Sequence, residues 1–329
     1  MTEEIFQKII ANYPMLHKAR IVNELKNGLS NNYAFEAERV RYFLKQYRHS
    51  NFEKVREIHN VKKYLHDGGI PVIQPMYTAG NDTLVEIEDS MYAVFPFVVG
   101  LHQKESAVGD AALDELAHTL ADIHKLSVSN PFVINDTFHD WNPDKFMNKA
   151  EAILAALDCK PNLTELDEQM KQGVILKREL VSANKKKLAD FDLPNDTLCH
   201  GDYHVYNVFF DQKGKVEWVF DLEKAEMAPR VFELVRSMNY MNLGGNFDDA
   251  HMAKANTYVN AYHGYYPLIE GEFARGVEMR FVKDFHSLWI EGEVFLKNND
   301  RFNRFYEAEF RSLVYLKDHL ADFIKKLKP

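Results

Sequence analysis

The pattern of apolar and polar positions changes character along the chain. Up to about residue 97, short runs rich in β-branched and aromatic residues dominate. Residues 21–25, 32–38 and 41–47 read as three strands, and 84–87 and 92–97 as two more across a turn at Asp89-Ser90. Between the third and fourth, residues 52–66 carry Val55, Ile58, Val61 and Leu65 at three- and four-residue steps, the spacing of a helix with one apolar face. Asp67-Gly68-Gly69 stops that helix, with Pro71 just beyond. The pattern predicts a five-stranded sheet with one helix inserted after its third strand.

Beyond Gly100 helical periodicity takes over. Leu113, Leu116, Ala117, Leu120 and Ile123 make an apolar stripe along residues 110–126, and two further helices are expected over 142–157 and 163–188. One compact hairpin interrupts this, with strands 208–210 and 215–220 around Asp211-Gln212-Lys213-Gly214. From Val231 onward the pattern reads as about four helices.

Composition narrows the function classes. The chain has 329 residues, 46% apolar and 27% charged, with a formal net charge of -9. A net negative surface disfavours nucleic acid, whose phosphates need a basic face, and suits a cationic or neutral small molecule better than an anionic one. Cys159 and Cys199 form no CxxC pair and cannot supply a disulfide framework, so a reducing, cytoplasmic setting is expected. Residues 1–16 carry Glu3 and Glu4 without a basic-then-apolar run and are not expected to act as a signal peptide. No apolar stretch approaches the ~20 residues that cross a bilayer.

The chemistry concentrates in residues 198–223, LCHGDYHVYNVFFDQKGKVEWVFDLE. His200, Gly201, Asp202, His204 and Asn207 precede the hairpin, and Asp221 and Glu223 follow it. A hairpin folds back on itself, so its open end gathers Asp202, Asn207 and Asp221. Convergent oxygen ligands suit Mg²⁺, a hard cation held by one or two carboxylates while phosphates and waters complete its shell. A further carboxylate beside such a metal can accept a hydroxyl proton.

The motif His200-Gly201-Asp202-x-His204-x-x-Asn207 followed by Asp221-x-Glu223 resembles the signature of the aminoglycoside phosphotransferase and choline kinase-like superfamily, which includes homoserine and methylthioribose kinases. The step of five from Asp202 to Asn207 is also that of the protein-kinase catalytic loop. The resemblance implies an α+β, bilobal, protein-kinase-like fold: a nucleotide-binding small lobe over residues 1–97 and a helical catalytic lobe over 98–329. It implies a cytoplasmic ATP- and Mg²⁺-dependent phosphotransferase acting on a hydroxyl of an aminoglycoside, an amino alcohol such as homoserine or choline, or a sugar. The protein would be a monomer or homodimer. Asp202 would be the catalytic base, and Asn207, Asp221 and Glu223 the metal ligands. Residues 42–48 resemble the third kinase strand, so that Lys45 would meet the phosphates and Glu57 would pair with it, Glu53 being the competitor one turn earlier. Pro96 and Val98 would offer backbone groups to adenine. The phosphate loop would include Gly28, Ser30 and Asn31, with one glycine in place of GxGxxG. Residues 116–124 are similar to the first large-lobe helix.

Plainer readings stand beside these. A non-catalytic kinase-like binding or coat protein is the alternative, motivated by the glycine-poor loop and the lack of an acceptor motif. A zinc site at His200, Asp202 and His204 would leave Asn207, Asp221 and Lys45 without roles. His200 and His204 read as loop braces, His124 as a satisfied helix histidine, Cys199 as a small buried hydrophobe and Trp141 and Trp289 as core or interface. Glu291, Glu293 and Asp300 are expected to face solvent.

Overall fold

The computed structural model describes residues 1–25, 31–47, 51–102, 108–327 and 329. The chain forms two compact units. The first comprises Met1–Lys104, Leu126–Ile134 and His200–Ala225. Its centre is an antiparallel sheet of β1 (Arg20–Leu25), β2 (Asn31–Ala37), β3 (Val40–Tyr47), β4 (Val85–Ile87) and β5 (Ser90–Pro96), in the order β1-β2-β3-β5-β4. The five strands and the helix inserted after the third match the apolar pattern.

Alternation along the strands decides which side chains go where. Tyr33 and Phe35 on β2 lie opposite Leu44 and Tyr42 on β3, and with Tyr92 and Val94 they form one apolar face. Helix α1 (Glu3–Ile10), which the sequence reading did not include, covers that face with Phe6, Ile9 and Ile10. It starts where Thr2 Oγ1 accepts the Ile5 N–H, with Glu3 and Glu4 against the positive end of the helix dipole. The opposite face carries Phe43, Tyr47, Met91, Ala93 and Phe95 and packs on Val55 and Phe52 of α2 (Phe52–Asp67). In register, Lys45 lies opposite Ala93, so it projects on the α2 side.

Two strand turns use left-handed residues without glycine. Glu38 and Arg39 join β2 to β3, and Glu88 and Asp89 join β4 to β5, with φ of 50, 70, 50 and 60°. Consecutive positive φ values match the twist of a two-residue hairpin. The second turn sits one residue earlier than the sequence suggested, because Ser90 already pairs with Ile87.

The second unit comprises Glu105–Lys125, Asn135–Cys199 and Glu226–Pro329. It is mostly helical: α3 (Asp110–Ser129), α4 (Pro143–Asp158), α5 (Glu165–Ala183), α6 (Arg230–Met238), α7 (Asp249–Tyr265), α8 (Glu272–Phe285), α9 (Trp289–Lys297) and α10 (Asn303–Leu327). Asn142 and the Thr164–Asp167 capping box start α4 and α5. Helix α5 stops five residues short of the expected end at residue 188: Asn184 turns back on Lys186 through two local hydrogen bonds that compete with the helix. Among the described residues five α-helices run from Arg230 onward instead of about four, because the break at residues 286–288 carries no Gly or Pro to mark it. Glu291 is buried, contrary to expectation, and takes a 2.7 Å ion pair from Lys177. Among the described residues no helix is long and apolar enough to cross a membrane.

Candidate active site

The residues singled out for chemistry lie in the first unit. Strands β7 (Val208–Phe210) and β8 (Val216–Val219) form the expected hairpin, with Val208 opposite Val219. One more bond, Phe220 N–H to the Asn207 carbonyl (3.1 Å), extends the pairing past the strands and brings Asn207 beside Asp221 at the open end. Asn207 is buried, and its side-chain Nδ2 donates to the Asp202 carbonyl at 2.9 Å. Its Oδ1 is therefore the atom it can offer to a cation. Asp221 leaves β8 in the left-handed region, φ 63°, which a short carboxylate side chain tolerates better than most. This turn leaves its side chain 46% exposed.

The loop before the hairpin is held by His200. Its Nε2 donates to the Phe220 carbonyl (2.9 Å) and its Nδ1 accepts the Asp202 N–H (3.3 Å), so both ring nitrogens are committed to backbone on opposite sides of the hairpin mouth. Gly201 cannot be replaced freely: at φ 79° a Cβ would meet the Lys224 carbonyl oxygen at 1.7 Å. His204 caps the short turn Val205–Asn207 by accepting the Tyr206 N–H, and its Nε2 stands 3.3 Å from Asn207 Nδ2 and 3.9 Å from Asp202 Oδ1. Both histidines are loop braces in this geometry. Asp202 Oδ2 accepts from Lys224 Nζ at 2.9 Å.

Lys45 reaches the same place from the sheet. Its Nζ pairs with Asp221 Oδ1 at 3.5 Å and with Glu223 Oε1. One ammonium thus gathers two carboxylates that follow the hairpin. Glu57 is half-buried on the flank of α2, whereas the sheet-facing stripe of that helix is Val55, His59 and Lys62. Glu53 is well exposed and pairs with Arg56, which leaves it poorly placed as Glu57's competitor. Pro96 ends β5 and offers only a carbonyl; the Phe97 N–H is bonded to the Arg41 carbonyl, so Val98 supplies the next N–H along the chain. Asn31 sits at the start of β2 with its side chain bonded to Gln46. Gly28 and Ser30 lie outside the described residues.

Sequence reasoning missed two lysines. Lys224 lies three residues after Asp221, and nothing in that spacing marked it as the partner of Asp202. Lys62 falls three residues after His59 and seven after Val55, on the buried stripe, which was the available signal.

In the second unit, His124, Cys199 and Glu233 are buried with their ligand atoms within 4.8 Å of one another. The His124 ring bonds Tyr262 OH (2.7 Å) and Glu233 Oε2 (3.0 Å), and the Cys199 sulfur reaches the Ala228 carbonyl at 3.7 Å. Burial, then the Glu233 charge, pushes the Cys199 thiol well above its usual range. The thiol stays protonated and every member has a protein partner, which makes this a hydrogen-bonded brace between β6 (Thr197–Cys199), α3, α6 and α7.

The fold is a protein-kinase-like α+β architecture. The chain belongs to the phosphotransferase enzyme family, whose profile matches residues 21–268. Solved structures share the fold at low identity. An amicoumacin kinase in complex with AMP-PNP, Ca²⁺ and Ami superposes with a TM-score of 0.66 at 13% identity, covering 97% of this chain and 94% of that one. A microcompartment-associated aminopropanol kinase gives 0.65 at 12%, covering 98% of each chain. Choline kinase from Cryptosporidium parvum Iowa II gives 0.63 at 12%, covering 100% of this chain and 98% of that one. No curated protein matches the chain in sequence.

Proposed function

We propose that this kinase transfers the γ-phosphoryl group of ATP, with Mg²⁺, to a hydroxyl of an aminoglycoside, an amino alcohol or a sugar. The observation that carries the reading is the meeting of Lys45, Asp221 and Glu223 at the mouth of the hairpin whose loop holds Asp202 and Asn207. The donor set fits a hard divalent cation: one amide oxygen and two carboxylates, with no soft ligand among them. Asn207, Asp221 and Glu223 would hold Mg²⁺, which when bound neutralises phosphate charge. Lys45, now closed on two carboxylates, is placed to turn to the phosphates.

Asp202 orients the acceptor hydroxyl and takes its proton as the oxygen attacks the γ-phosphorus and the bond to the β-phosphate oxygen breaks, releasing ADP. Lys224, bonded to Asp202 Oδ2, fixes the rotamer of that carboxylate. The amide of Asn207 and the imidazole of His200 hold the Asp202 backbone in place.

The test is a ³¹P-detected transfer screen with Mg-ATP across aminoglycosides, amino alcohols and sugars. A phosphorylated product is expected from one class. Asp202→Ala is expected to lower turnover by ~10³-fold or more on general-base and positioning grounds, while nucleotide binding persists. Nucleotide binding without transfer to any acceptor would favour a non-catalytic binding protein, and full turnover by the Ala variant would remove Asp202 from the mechanism.

A further inference from the structure

Helix α2 turns Val55, His59 and Lys62 toward the β3–β5 face of the sheet. His59 is fully engaged there, its ring nitrogens 2.7 Å from Tyr47 OH and 2.7 Å from Thr83 Oγ1. Lys62 is different. It is 5% exposed, and among the described residues its ammonium makes no hydrogen bond or ion pair. It stands over the face of Phe95, 4.6 Å from the ring centroid. A buried ammonium without an anion is costly, and Met or Leu would fill the same volume without that cost.

The register shows what lies beside it. Phe95 is opposite Phe43 and Ala93 is opposite Lys45, so Lys45 and the ring beneath Lys62 share one face, two residues apart along the ladder. The packing therefore sets two ammonium groups on one apolar surface. The charged groups that act on Lys62 are Lys45 on β3 and Asp221 after β8, and the Lys62 charge acts in turn on His59 of its own helix. Burial and then the Lys45 charge bring the Lys62 amine down to about 7, with Asp221 acting in the opposite direction. Asp221 and Glu223 are paired with Lys45, so among the described residues neither carboxylate is bonded to Lys62.

We propose that Lys62 is a second cation of the nucleotide site, placed beside Lys45 so that the phosphates of ATP supply the anion that its ammonium lacks among the described residues. This rests on the kinase reading above. Without a bound anion the amine is close to neutral at physiological pH. A bound triphosphate adds negative charge near both lysines, so Lys62 takes up a proton as the nucleotide binds. Nucleotide affinity then falls as pH rises above 7, in addition to any effect of Lys45.

The experiment is calorimetric titration of the full chain with Mg-ATP at pH 8, in buffers of differing protonation enthalpy. The wild type is expected to take up a fraction of a proton. Lys62→Met is expected to lose that uptake and to bind about 10- to 100-fold more weakly, the worth of one charge-assisted hydrogen bond. Lys62→Arg, charged throughout, is expected to keep the affinity but to bind without the uptake. Wild-type affinity and proton count in Lys62→Met overturn the proposal and leave Lys62 as packing. If the Met variant does not fold, the Arg variant decides alone, and undiminished uptake in it overturns the proposal. A wild type that does not bind Mg-ATP overturns the kinase reading and this inference together, whereas a wild type and Met variant that bind alike overturn only this inference.

Discussion

Replacing Gly201 by Ala tests the geometry of the proposed catalytic loop against a built-in control. Gly201 sits at φ 79°, and a Cβ there would lie 1.7 Å from the Lys224 carbonyl oxygen and 2.4 Å from its carbon. Left-handed backbone costs an alanine about 1–2 kcal/mol. A carbon–oxygen contact wants roughly 3.3 Å, so the turn at residues 222–224 must shift by roughly 1.5 Å. Overpacking of this kind adds about 1–3 kcal/mol, for a total near 2–5 kcal/mol. The displaced turn carries Glu223 and Lys224 and is joined directly to Asp221, the partners of Lys45 and Asp202. A misplacement of about 1 Å around reacting groups can cost ~10²-fold, and kcat is expected to fall by at least that much. Gly214 provides the control: its φ is 80°, yet an added Cβ meets nothing within 4 Å. Gly214→Ala should lose only the backbone strain, about 1–2 kcal/mol, and keep full turnover. Urea melts and coupled ADP-release kinetics on both variants measure the two quantities. Equal stability losses, with normal turnover in Gly201→Ala, would refute the close approach of Gly201 to the Lys224 backbone.

Two further outcomes concern the helical unit. Burial raises Glu226 from an ordinary 4.5 to about 7, so the folded chain holds a proton there that the unfolded chain releases, and stability is lost as pH rises through that window. Glu226→Gln should therefore gain on the wild type in thermal melts as pH goes from 5 to 8, by up to about 3 kcal/mol; a constant difference would show that Glu226 titrates normally. Lys177→Met strands the buried Glu291 carboxylate and should destabilise by about 3–5 kcal/mol, with the loss shrinking in the Lys177→Met, Glu291→Leu double variant. An equal loss in the double variant would mean that the packing of Lys177, not the unpaired charge, matters.

The parts of the structure legible from the sequence share a physical property: they rest on short-range periodicity. Residues 84–87 and 92–97 alternate because one face meets α1 and the other α2, and the pattern located both strands to within two residues. The hairpin could be read because a Gly-containing turn separates two apolar runs, and its open end necessarily collects the residues flanking it. Less legible were elements marked by neither. The strand β9 (Glu226–Ala228) that pairs with β6 has three residues, too few to show a period. Its partner is set by distant chain, and no local signal encodes that.

Charge was the harder reading, and for a reason that bears on the site. A lysine on an amphipathic helix is normally solvated, so the stripe of α2 was read from Val55, Ile58, Val61 and Leu65 alone. Including every position on that face brings in His59 and Lys62, one bonded on both sides and the other without an anion. The two cases differ in kind. A buried polar group with all its bonds made stabilises the fold and can be explained by the fold. A buried ammonium that makes no such bond costs stability, and the fold gives no return for that cost. Lys45 belongs between them, since its two carboxylate partners satisfy it now and are the same groups proposed to hold a metal. If those carboxylates were to hold a divalent cation, Lys45 would share them with it, while the Lys62 ammonium would still be in need of an anion. Two ammonium groups on one apolar face favour a ligand that brings several negative oxygens at once, which is what a metal-bound triphosphate does.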